Sequence, residues 1–139
     1  MVSFLALHTA VYQRLVNDAA VKALVYKDTK FKGVYDAVPN DAPFPYILIG
    51  EPIETPFSVK QGDTVETSLA IHTWSNKAGK TESYKLLQAV SDALAAFLIV
   101  MNYEVDYVKK VRTSVFDDID GVLRHGVLTY EYTLTAKEK

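Results

Sequence analysis

The chain has 139 residues, 49% of them hydrophobic and 12% aromatic, with 23% charged and a formal net charge of −2. That length and composition predict a single globular domain over 1–139 and exclude wholesale disorder. With no cysteine, disulfides and thiolate metal sites are excluded, and a chain without a basic surplus lacks the charge signature of a nucleic-acid binder.

Residues 1–7 are apolar but carry no basic stretch, and His8 follows them directly, so they do not read as a secretory signal. Phe4, Leu7, His8, Val11, Tyr12, Leu15 and Val16 recur at helical spacing and predict a helix over 4–17, with Ser3 as its N-cap. Asp18 is positioned to cap a short helix over 19–24. Residues 26–32 are polar and read as a loop, and 33–36 as an extended stretch. All five prolines then fall between Pro39 and Pro56. Within that cluster the compact apolar run Tyr46–Gly50 predicts a buried strand. Residues 52–64 have neither helical nor strand periodicity and are expected to form a long exposed loop.

Val65, Thr67, Leu69, Ile71 and Thr73 alternate with polar neighbours, predicting a half-buried strand that Trp74 ends. Thr81 with Glu82 signals the start of a second long helix over 81–98, its inner face formed by Tyr84, Leu87, Val90, Ser91, Leu94 and Leu98. Val108–Phe116 alternates as a strand, Asp117–Gly121 reads as a hairpin turn, and Leu128–Leu134 alternates as the last strand. Residues 136–139 read as a frayed tail. The longest unbroken apolar run, Ala93–Met101, is far shorter than the roughly 20 residues of a membrane span, so no membrane partner and a cytoplasmic origin are expected.

The resulting order is α, short α, β, β, α, β, β. It predicts an α+β fold with a mixed, mostly antiparallel four-stranded sheet and two main helices packed on one face. The other face is expected to be polar, with Glu66, Ser68 and His72 on one strand and Lys110 and Arg112 on another.

Few residues point to chemistry. His8, His72 and His125 lie on separate elements without the spacing of a zinc site. No nucleophile elbow is present. Gly79-Lys80-Thr81 resembles the end of a phosphate-binding loop, but Trp74 occupies the position of its first glycine, leaving a helix start. Asp117, Asp118 and Asp120 fail the calcium-loop pattern and read as a solvated turn or a partner contact. Trp74 is either sheet-edge packing or an interface anchor. The loop over 52–64 offers Ile53, Phe57, Val59 and Lys60, with Phe57 either docking to another protein or folding back onto the core. Lys109, Lys110, Arg112 and Arg124 are either solvated strand charges or face DNA. No catalytic residue, cofactor or metal is expected.

Three blocks together resemble a known family. The first is Val34-Tyr-Asp-Ala-Val-Pro39 followed by Ala42-Pro-Phe-Pro-Tyr-Ile-Leu-Ile-Gly50. The second is Leu69-Ala-Ile-His-Thr-Trp-Ser75, leading through Gly79 into a helix that ends Val90-Ser-Asp-Ala-Leu94. The third is Asp118-Ile-Asp-Gly121, followed by Arg124-His-Gly126 and an alternating strand. In this order and at this length they resemble the tail completion proteins of long-tailed phages, prophages and gene-transfer agents, also called tail terminator or head–tail joining proteins. The resemblance covers nearly the whole chain. It implies a non-enzymatic virion protein, assembled in the host cytoplasm, that forms a homo-hexameric ring on the head-proximal end of the tail tube. The implied partners are the tail tube protein, the head-completion protein and further copies of the chain, with DNA passing through the lumen. Loop 52–64 and hairpin 117–121 are then expected to make ring or axial contacts. The alternatives are a head-completion (stopper or adaptor) connector and a small ligand-binding α+β domain.

Overall fold

The computed structural model describes residues 2–57 and 63–137. Apolar side chains spaced by three and four residues form α1 (Phe4–Asn17), which buries Leu7, Val11 and Leu15. Asp18 ends this helix and caps α2 (Ala19–Leu24) by accepting the Val21 N–H at 3.0 Å. Ser3 is not the side-chain cap expected of it. Its backbone N–H and its hydroxyl instead donate to Glu54 Oε1 at 2.9 and 2.7 Å, which sets a carboxylate at the positive end of α1.

The remaining elements are β1 (Val34–Tyr35), β2 (Tyr46–Ile49), β3 (Ile53–Pro56), β4 (Thr64–Ser75), α3 (Thr81–Ala95), β5 (Tyr103–Asp117) and β6 (Arg124–Ala136). They form one sheet in the order β1-β2-β4-β6-β5, with β3 also paired to β4. Among the described residues only the β1–β2 pairing is parallel. The expected α+β architecture is present, with six strands among the described residues rather than four. The helices cover one face, where Leu7, Val11, Leu15, Leu86 and Val90 meet Ile47, Leu69, Ile71, Leu128, Tyr132 and Leu134.

Several expectations need correction. Residues 53–56 are a strand, not the start of a loop. Strands β2 and β3 lie along the same edge of β4, with one extra residue between their registers. At that break the Gly50 N–H donates to the Ala70 carbonyl at 2.7 Å, and a Cβ on Gly50 would lie 2.8 Å from the same oxygen. The strand β2 is buried on one face only, through Ile47 and Ile49. Trp74 lies within β4 rather than ending it. Helix α3 stops at Ala95 and begins with Thr81 as its first helical residue, behind an N-cap at Lys80. Its buried face includes Leu86 and the small residues Ser83, Ala89 and Ala93, which admit the helix close to the sheet, whereas Tyr84 is 58% exposed.

The last hairpin is longer than expected. Strand β5 begins at Tyr103 and carries two register shifts, at Val105/Tyr107 and Lys110/Arg112. The second reverses the sides of neighbouring cations. Lys110 stands on the helix side, donating from Nζ to Ser91 Oγ at 2.9 Å, while Arg112 pairs with Thr129 on the outer face. The turn comprises residues 118–123. Ala136 belongs to β6, and Lys137 is held by its N–H to the Asn102 carbonyl at 2.8 Å, so the frayed tail does not begin at 136. Residues 138–139 lie outside the described residues.

Candidate interaction surfaces

The acidic hairpin tip is an ordered loop. The Asp118 N–H donates to the Leu123 carbonyl at 2.8 Å and the Gly121 N–H to the Asp118 carbonyl at 2.9 Å. Asp120 Oδ1 accepts the N–H groups of Val122 and Leu123, which holds its carboxyl below the ordinary carboxylate range. The Arg124 guanidinium donates to the Gly121 and Val122 carbonyls and pairs with Asp117 Oδ1 at 3.4 Å. Asp117 also pairs with Lys80 at 3.3 Å. This bonding presents Ile119 fully exposed and Val122 largely so. The aspartates read in the sequence as a turn or a contact are thus the frame of an apolar knob.

The other named contact residues stand elsewhere. Ile53 is 68% exposed on β3, and Phe57 is half-buried, with its N–H donating to the Thr64 carbonyl at 3.0 Å. Val59 and Lys60 lie outside the described residues. Thr64 pairs with Thr135, whereas Ser75 pairs with Arg124, so Phe57, bonded to Thr64, and the 118–123 tip stand at opposite ends of the sheet. The structure therefore does not bring the sequence-named residues into one site.

Sequence reasoning missed the outer-face aromatic cluster. Trp74, His125 and Phe116 are direct neighbours across β4, β6 and β5. The His125 ring stacks on Trp74 at a centroid distance of 3.9 Å and meets Phe116 at 4.7 Å. Trp74 is thus stacked on a neighbouring strand and half-buried on the outer face. His125 Nε2 lies 2.7 Å from His72 Nδ1, a separation that needs one neutral ring to accept the proton of the other. Burial pushes both imidazoles below their ordinary value; His72 adds to the lowering at His125, and Asp118 opposes it. Only pairing register brings these residues, distant in sequence, together. Among the described residues, no three His, Asp or Glu side chains converge on a metal-sized site.

The second missed feature is an apolar groove beside α1. Leu98 and Val100 point into the core, so Phe97, Ile99 and Met101 point out, at 74%, 75% and 73% exposure. Ile99, Met101 and the exposed Leu5 line the groove, with Arg14 and Lys137 among its polar residues. Arg14 anchors the segment. Its guanidinium donates to the carbonyls of Ala93 at 2.9 Å, Ala96 at 3.3 Å and Phe97 at 2.7 Å, closing the C-terminal end of α3. The sequence signal was the nine-residue apolar run Ala93–Met101. It is too short to span a membrane and leaves its outward side chains uncovered. No helix among the described residues is long and apolar enough to cross a membrane.

The fold is a mixed sheet covered by helices on one face, with exposed apolar features near its two ends. Comparison with known proteins gives its family. Residues 9–135 match the model of the family described as "Tail completion protein gp17", and the chain belongs to that family of phage structural proteins. The tail completion protein gp17 of Bacillus phage SPP1 is 26% identical over 130 residues, covering 93% of this chain and 92% of that protein. A chain of the virion of a native gene-transfer-agent particle is 27% identical and superposes with a TM-score of 0.83 over 96% of this chain and 98% of that one. The solved SPP1 gp17 structure, 23% identical, shares the fold with a TM-score of 0.63, covering 96% of this chain and 92% of that chain.

Proposed function

We propose that this chain is a virion protein that caps the head-proximal end of a phage tail tube as a homo-hexameric ring. There it terminates tail elongation and joins the tail to the head-completion and portal complex. Its partners are the tail tube protein on one axial side, the head-completion protein on the other and further copies of itself laterally. DNA passes through the lumen. The role is structural, without cofactor or chemistry. Assembly takes place in the host cytoplasm, and the finished location is the head–tail junction.

The observation that carries this reading is the near-complete correspondence with the tail completion family over residues 9–135, together with the likeness to a chain of a gene-transfer-agent virion. A ring subunit needs unlike lateral surfaces and two axial ones. Contact elements at opposite ends of a rigid sheet suit that requirement. Immunogold labelling of intact particles, isolated tails and isolated heads tests the placement. Label at the head–tail junction and on the head-proximal end of isolated tails is expected. Label retained on isolated heads instead would make the chain a head-completion connector.

A further inference from the structure

We propose that the lateral contact of the ring is a knob-and-groove joint, in which the 118–123 hairpin tip of one copy seats in the apolar groove beside α1 of the next. The inference rests on the ring reading above and names its contact.

The groove needs an apolar occupant. Leu5, Ile99 and Met101 are each more than two-thirds exposed along it, a continuous apolar surface of the kind that marks an interaction site. The tip supplies such an occupant in Ile119 and Val122. Its loop is already held by the bonds of Asp118, Asp120 and Arg124, so little ordering is lost on docking.

The charges are complementary. Tip residues 118–123 carry two aspartates and no cation. The groove is lined by two cations, Arg14 and Lys137, against one carboxylate among the described residues, Asp18; Arg14 is bound to the carbonyls of Ala93, Ala96 and Phe97, and Asp18 caps Val21. The two features also cannot meet within one copy. Tyr103 borders the groove and Asp117 the tip, and the 15 residues of β5 separate them, roughly 45 Å at the usual rise per residue. Knob and groove are different surfaces at opposite ends, so the joint is head-to-tail and closes into a ring when its rotation allows.

The chain's lack of cysteine makes the test direct. Particles are complemented with Ile119→Cys/Ile99→Cys, oxidised and separated under non-reducing denaturing conditions. Covalent multimers of this chain, running up to a closed ring, are the expected result. The single Ile119→Cys variant should stay monomeric. Tip-to-tip dimers from that variant, or links to a different virion protein, overturn the joint. Oxidised particles that hold many copies per junction yet give no multimers overturn it while leaving the ring standing. A single copy per junction overturns the ring itself. Independently, Ile119→Asp should leave the melting temperature unchanged, because the side chain is fully exposed. It should lower infectious-particle yield by about tenfold or more, as expected for loss of a buried interface anchor. Wild-type yield from that variant contradicts the proposal.

Discussion

Gly126 shows how tightly the sheet and α3 are matched. It stands opposite Thr73 on the covered face, where a Cβ would lie 2.3 Å from Thr73 Oγ1 and 3.1 Å from Leu87 Cδ2. Gly126→Ala should destabilise the fold by about 1–3 kcal/mol, as overpacking does. Combining it with Thr73→Ala should cost less than the sum of the two single changes in denaturant unfolding. Arg14 acts by bonding rather than by bulk. Arg14→Ala leaves three carbonyls at the end of α3 without their donor. It should cost about 1.5–3 kcal/mol, the range for hydrogen bonds to a charged group. The histidine pair adds a pH dependence. Both imidazoles are pushed below their ordinary value in the folded chain. The unfolded chain therefore binds more protons below about pH 6.5. The pair's stabilisation is present above that pH and is lost as pH falls through the folded values. Denaturant unfolding should show lower stability at pH 5.5 than at pH 7.5, with a flatter dependence in His125→Phe; equal wild-type stability at the two pH values contradicts this account.

At the scale of elements, what was legible followed from periodicity. Residues 4–17, 19–24 and the core of β4 carry uninterrupted patterns, and the structure places them at or within a residue or two of the expected bounds. Breaks in pairing have no such signature. The offset between β2 and β3 scrambles alternation around Gly50–Pro52, so β3 reads as loop; the bulges in β5 do the same and misplace Lys110. The acidic tip and Ile53 could be picked out because turns and exposed apolar residues are local features. The groove and the aromatic cluster could not, because each joins residues from three or more distant segments. Glu54 belongs to the illegible part as well, since it meets its partner Ser3, which also bonds the Thr67 hydroxyl, only through folding. Glu54→Ala should release β3 from the start of α1 and lower stability by about 1–2 kcal/mol. Amide exchange should quicken first at Ile53–Thr55, and unchanged protection there would show that β3 is held by its pairing to β4 alone.

Across the whole molecule, the composition is compatible with the ring subunit proposed above. Cysteine is lacking, net charge is small, and one core is covered by helices on a single face. The clustered prolines bracket β2 and run into β3, marking where the sheet edge bends rather than where a free arm begins. The contact surfaces proposed above lie at the sheet ends, where they can change without disturbing the core. The length distribution of tails assembled without this protein, read by electron microscopy, tests the capping claim most directly. Free heads together with overlong tails of broad length are the predicted result; free tails of normal, uniform length would contradict it.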